Sequence, residues 1–269
     1  YFVMYRKFLI VASKSDPAGI NITSQLSKFG EFNFYLVDGD ILHKENLSFS
    51  KIDEYDFIIF ASKHSSSKKE KTISIHPPGN FKNALEGMGG VDENVCLSSA
   101  LFNKQLFENL SDCIIEHELN EKYKLTLECT HHGPFIHKPC VFVEIGSTKF
   151  EWEDRRAGFA VAKAIKRTIE NFKENPYNEI SVGVGGPHYC PGFNQIQLRS
   201  NVAISHIISN HNVPIEEKMI LEAIRKTQEE VDFVVIDWKG LGSKDRNDLI
   251  SILDKNHIYY KKTSEVKKG

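Results

Sequence analysis

Cysteine is scarce and unpatterned in this sequence. The five present (Cys96, Cys113, Cys129, Cys140 and Cys190) are odd in number, widely spaced and never arranged as Cys-x-x-Cys, which argues against a disulfide framework and against a zinc ribbon. A reducing, cytoplasmic setting is the expectation. No apolar run approaches the ~18 residues of a membrane span, so no membrane partner is expected. Tyr1-Phe2-Val3 precede Met4 without the basic-then-apolar layout of a signal peptide and read as a remnant outside the fold. The formal charge is only −2, so a nucleic-acid partner would have to meet a local basic patch and not a globally basic surface. No internal repeat at solenoid periods and no long low-complexity linker occurs. A spaced His-Glu-x-x-His signature is also missing.

What is present is the composition of a soluble globular protein, 269 residues with 41% hydrophobic and 26% charged side chains, enough to bury a substantial core. Short runs rich in Val, Ile and Phe read as buried strands at Lys7–Ala12, Phe32–Val37, Asp56–Ala61, Val95–Ser98, Tyr123–Cys129, Cys140–Ile145, Ile180–Val184, Val202–Ile208 and Asp232–Ile236. Amphipathic helical patterns lie between them at Ala18–Phe29, Leu101–Leu119, Glu153–Phe172, Glu216–Glu230 and Lys244–Lys255. This alternation predicts an α/β fold in three layers, α/β/α, with a mostly parallel mixed sheet covered on both faces. From Met4 to Gly269 the chain reads as a single domain.

The histidines share a placement. His64, the adjacent pair His131 and His132, and His188 each follow the end of an expected strand, as does Asp237. In open α/β sheets ligands bind outside the carboxyl ends of strands, so these loops converge on one crevice although distant in sequence. His76, in the turn "HPPGN" that ends at Asn80, joins them. His206 lies inside an apolar run and reads equally well as a core residue. His43, His117, His137, His211 and His257 read as surface residues. Adjacent residues on a strand face opposite ways, but Gly133-Pro134 ends the strand at "ECTHHGP" and frees both His131 and His132 to turn inward.

Two chemistries suit such a cluster. In one, zinc is held with an open position and lowers the pKa of a bound water to about 7; His64, His131, His132, His188 and Glu128 or Glu144 are the candidate ligands. In the other, a histidine acts as general base on water, with another histidine or Asp237 orienting it. The glycine-rich loop Gly183–His188, which lacks the P-loop and Rossmann spacings, offers the N–H groups of Gly185 and Gly186 to an oxyanion or a phosphate. A tight turn explains that loop equally well.

Eight motifs in order, "FASKHSS" (Phe60–Ser66), "IHPPGN" (Ile75–Asn80), "ECTHHGP" (Glu128–Pro134), "VEIGST" (Val143–Thr148), "EWEDRRAG" (Glu151–Gly158), "GVGGPHY" (Gly183–Tyr189), "ISHII" (Ile204–Ile208) and "IDWKG" (Ile236–Gly240), resemble the archaeal and plant type of D-aminoacyl-tRNA deacylase. Pro187 stands where a further glycine is common in that family. The resemblance implies hydrolysis of the ester joining a D-amino acid to the 3′ end of tRNA, a phosphorylase/hydrolase-like fold, a zinc requirement with the number of ions left open, and no obligate protein partner, the chain acting as a monomer. On that reading His131 or His132 activates water, Gly185 and Gly186 face the oxyanion, and Asp237 orients a histidine. The tRNA and the substrate would be met by Lys63, Lys68 and Lys69 from the basic stretch "KHSSSKKEK", by His76, Asn80 and His206, and by Trp238 and Lys239. Trp238 would stack on the terminal adenine, unless it packs beneath the pocket. Two rival readings are a zinc-dependent peptidase or amidohydrolase of the same broad fold, and a non-catalytic RNA-binding protein with structural histidines.

Overall fold

The computed structural model describes residues 5–45, 47, 49–173, 175 and 178–268, so the three residues before Met4 lie outside it. The strands are β1 (Phe8–Ser13), β2 (Asn33–Val37), β3 (Phe57–His64), β4 (Thr72–His76), β5 (Gly79–Asn80), β6 (Asn94–Val95), β7 (Lys124–Leu127), β8 (Cys140–Gly146), β9 (Glu179–Val184), β10 (Val202–Ile208), β11 (Phe233–Ile236) and β12 (Tyr260–Lys262). The helices are α1 (Pro17–Leu26), α2 (Phe49–Ile52), α3 (Ala100–Glu116), α4 (Lys149–Trp152), α5 (Arg155–Asn171), α6 (Pro191–Arg199), α7 (Glu217–Arg225) and α8 (Ser243–Lys255). No helix among the described residues is long and apolar enough to cross a membrane.

The three-layer α/β architecture is present, but its strands form two main sheets and not one. The larger is ordered β2-β1-β3-β8-β4-β7 and the smaller β10-β9-β11-β12. Pairing is parallel throughout both except between β4 and β8, which run antiparallel. The strands that lead to the histidines do not all run the same way: β4 and β7 run opposite to β3 and β8. The two sheets meet where the Thr130 N–H donates to Ile207 O at 2.9 Å, and the Ile207 N–H in turn donates to Thr130 Oγ1 at 3.2 Å.

Local chemistry sets the layers. Asp16 caps α1 by accepting from the N–H groups of Ala18 and Gly19, with Pro17 opening the helix. Asp154 caps α5 in the same way. Helices α1, α3 and α5 bury Ile22, Leu26, Phe102, Phe107, Val161 and Ile165 against Ile59, Ile73, Val141 and Val143 of the larger sheet. Helices α7 and α8 bury Met219, Ile220, Leu249 and Leu253 against Val182, Val184, Val234 and Ile236 of the smaller one.

Strand alternation then fixes where polar groups can gather. The register aligns Ser62, Glu144, Ser74 and Thr126 across four neighbouring strands, and residues two apart share a face. His64, His76 and Glu128 therefore project on the same side as that row. The other side carries Ala61, Val143, Ile73 and Leu125, which pack onto the helices. One face of four strands is thus oily and the other holds a buried polar band.

Candidate active site

Glu128 stands at the centre of that band. Its side chain is fully enclosed, and three imidazoles surround it: His188 Nε2 at 2.8 Å, His64 Nδ1 at 3.2 Å and His131 Nε2 at 3.6 Å. Glu144, from β8, lies 3.3 Å from His64 Nδ1 and 3.9 Å from His76 Nε2. Two buried carboxylates would be costly alone, so His188 and His64, the imidazoles nearest to them, carry the compensating charge. Burial disfavours a charged His188, but Cys129 and Glu128 outweigh it and push its pKa up to about 10. His64 is raised for the same kind of reason, burial being outweighed by Glu144 and Glu128. Burial pulls Glu128 and Glu144 toward neutrality, yet their imidazole partners hold both below the usual carboxylate range.

His131 and His132 behave oppositely. Burial, reinforced by the neighbouring His76, depresses His131 strongly and brings His132 down to about 4. Both are therefore neutral at physiological pH. Their tautomer is set by the backbone, because a carbonyl oxygen can only accept. His131 Nδ1 donates to Cys129 O at 2.8 Å, His132 Nδ1 to Gly133 O at 2.6 Å, and His76 Nδ1 to Pro77 O at 3.1 Å. In each ring Nε2 is left as the nitrogen not held by the backbone, and the ring centroids lie 4.1 to 4.7 Å apart. Ligand atoms of His76, His131 and His132 lie within 4.8 Å of one another, and His76 Nε2 is buried without a hydrogen-bond partner. Backbone carbonyls latching the distal nitrogen are the usual support for metal-binding imidazoles.

The candidate ligands fall into three groups, two of which share His131. His131 and His132 join His76, which the sequence placed with the substrate, whereas His64 and Glu128 group with Glu144, and His188 groups with Cys129 and His131. His131 and His132 both turn inward because the strand ends at Leu127 and His132 takes a φ of 44°. Gly133 permits the packing that follows, since a Cβ there would meet Gly90 N at 2.2 Å and Leu42 O at 2.4 Å.

A cavity of about 750 Å³ opens onto Cys129, His131, His132 and His188. Its other walls are Gly79–Asn83, Leu85 and Met88 on one side, and Ser209, His211, Asn212 and Glu216 on the other. Asn80 lines it while its Nδ2 donates to Gly89 O. His211, expected at the surface, is exposed and lines this wall.

Several expected roles meet different surroundings. The Gly185 N–H donates to Ile208 O at 2.8 Å, so it is spent in the smaller sheet and is not free for an oxyanion. Gly186 follows it in the same loop, its carbonyl accepting from Asn210. Among the described residues Asp237 makes no hydrogen bond or ion pair to a histidine; its Oδ1 accepts from the Gly240 N–H and closes the turn Trp238–Gly240. Trp238 packs against the core of the smaller sheet, between Arg246 and Lys262. His206 is wholly buried in β10, 3.1 Å from Thr130 Oγ1, with its pKa held down to about 3 by burial. Lys63, Lys68, Lys69 and Lys239 are exposed and, with Trp238 and His206, stand outside the cavity lining.

Two residues were missed from sequence. Tyr189 OH lies 2.8 Å from His64 Nε2, and Cys129 Sγ 3.3 Å from His188 Nδ1. A signal for the band was nevertheless there: polar residues two apart inside apolar strands, as in Ser62 and His64, Ser74 and His76, or Thr126 and Glu128.

Comparison with known proteins places these features in a family. The sequence profile described as D-aminoacyl-tRNA deacylase matches residues 51–261. The D-aminoacyl-tRNA deacylase of Methanococcus vannielii is 31% identical over 95% of this chain and 99% of its own. Those of Thermococcus onnurineus (32% identical, 86% of this chain and 91% of its own) and Methanocaldococcus jannaschii (30%, 95% and 99%) are similar to it as well. Among solved structures, the crystal structure of a conserved protein of unknown function, AF0625, superposes with a TM-score of 0.87 at 28% identity, covering 97% of both chains. The chain belongs to the D-aminoacyl-tRNA deacylase family.

Proposed function

We propose that this protein hydrolyses the ester of D-aminoacyl-tRNA at the Glu128-centred cluster, with zinc held by His76, His131 and His132. The hydrolase activity on D-aminoacyl-tRNA follows from the family. The metal assignment rests on one observation: three clustered imidazoles whose Nδ1 atoms are tied to backbone carbonyls, each leaving its Nε2 as the nitrogen not held by the backbone. Zinc bound there would supply Lewis acidity toward water or the ester carbonyl.

The chain's own groups do the rest. The cavity receives the aminoacyl end, with Phe81, Leu85 and Met88 as its apolar wall. An aminoacyl ester is already reactive, so positioning and proton supply matter more than brute activation. His188, kept protonated beside Glu128, faces the cavity and holds a proton for the departing ribose oxygen. Glu128 fixes that ring's orientation, and Glu144 with His64 neutralises the second buried charge. Five free, buried cysteines suit a reducing cytoplasm, and a monomeric state is testable by sedimentation.

Matched D- and L-aminoacyl-tRNA, before and after verified metal removal, test the reading. Preferential hydrolysis of the D-ester, lost on chelation and restored by zinc, is expected, with His131→Ala and His188→Ala each reduced at least a hundredfold. Equal hydrolysis of both enantiomers would sink chiral selection. Full activity without metal would leave only a histidine-base mechanism.

A further inference from the structure

Two neighbours of His188, Tyr189 and His64, stand outside the cavity lining, and next to them lies a patch of lysines and aromatics. Lys124 Nζ sits 5.6 Å over the Tyr189 ring, and Lys63 Nζ 5.6 Å over the ring of Trp152. Trp152 is itself fixed to the site, its Nε1 donating to His64 O at 2.8 Å. The loop carrying Lys68 and Lys69 is tied to the same place: Ser66 Oγ is 3.2 Å from Ser147 Oγ, which donates to Glu70 O at 2.6 Å. Lys71 and Lys149 complete the charge.

Three glutamates share this surface. Glu151 is turned inward onto Thr148 and lies 3.8 Å from Lys71, while Glu70 and Glu153 reach Lys124 and Lys149 at 3.8 and 3.7 Å. The balance stays positive in a protein whose overall charge is −2. Phe150, beside Lys149 on α4, has 87% of its surface in solvent, the most exposed large apolar side chain among the described residues. It is not on a floppy tip. The Thr148–Glu151 capping box and the Trp152 anchor hold its helical turn on either side.

We propose that this face is the dock for the unpaired 3′ end of the tRNA, with Phe150 as the platform on which a base stacks. The assignment rests on the deacylase reading above. The lysines match an RNA backbone, and an exposed aromatic beside Lys149 matches an unpaired base, whose ring faces are open, and not a duplex, whose ring faces are covered. The arrangement also gives the substrate a path: nucleotides over Phe150, the terminal ribose near Tyr189 and His188, and the aminoacyl group in the cavity.

The test compares one D-amino acid esterified to whole tRNA and to adenosine alone. For Phe150→Ala, kcat/KM on the tRNA ester should fall about tenfold, the size of one lost base–aromatic stack, while the adenosine ester changes less than twofold. Phe150→Trp should restore the tRNA ester, and Lys149→Glu should lower it and flatten its salt dependence. Equal losses on both substrates, or no loss on either, would overturn the proposal. A wild-type enzyme inert on both esters would instead indict the deacylase reading. The dock is then judged by anisotropy with a short single-stranded RNA carrying the tRNA 3′ sequence, where equal binding by wild type and Phe150→Ala overturns it.

Discussion

His188 and His206 follow or occupy neighbouring strands of the smaller sheet, yet they titrate in opposite directions. His188 touches Glu128 and is pushed up to about 10, whereas His206 has no carboxylate beside it and burial holds it down to about 3. That second value has a consequence for acid stability. The unfolded imidazole takes up a proton near pH 6.5 but the folded one does not until about 3, so this contribution is complete above pH 6.5 and is lost as pH falls. At pH 4.5 the loss amounts to about 3 kcal/mol. Urea midpoints at pH 7 and 4.5 should show a steeper acid decline for wild type than for His206→Gln, and parallel declines would refute it. His76→Ala makes a sharper test of the metal set: bound zinc, measured by elemental analysis, should disappear there and persist in His206→Gln.

Elements carry the geometry that single residues cannot. The bend after β7 depends on Gly133, whose N–H donates to Met88 O at 2.9 Å and where a Cβ would collide with Gly90 and Leu42. Gly133→Ala should destabilise by about 2 kcal/mol through overpacking and lower activity further than the stability loss accounts for, because His132 moves with the bend. A thermal scan beside a rate measurement decides this; wild-type behaviour in both would be fatal. Helix α3 depends on Glu229, which accepts from Ser99 Oγ and from the Ala100 and Leu101 N–H groups. Glu229→Ala should cost about 1–3 kcal/mol in urea unfolding with little change in KM.

These elements also mark what sequence could and could not reveal. β3, β8, β10 and β11 announce themselves as apolar runs, and α3 and α5 as long amphipathic patterns. β4 escaped notice because Thr72 and Ser74 interrupt it, although those hydroxyls are part of the buried polar band. α6 was missed because Pro191 opens it straight after the glycine-rich loop. The histidine convergence was legible, but its partition was not: whether a ring is neutral or charged depends on Glu144 and Glu128, and the antiparallel entry of β4 decides which of them it meets.

At the scale of the molecule, a bound metal would tie β4 to the bend that leads into the smaller sheet. Added zinc should therefore raise Tm in a concentration-dependent way in the wild type, and His131→Ala should abolish the shift. A Tm indifferent to zinc would remove the metal from the fold. The Thr130–Ile207 bond lies one residue from His131, so parting the sheets and dismantling the site are one event. Deuterium uptake at the Thr130 amide then becomes a meter of idle time, recording how often the enzyme is out of service, and a bound substrate should slow it.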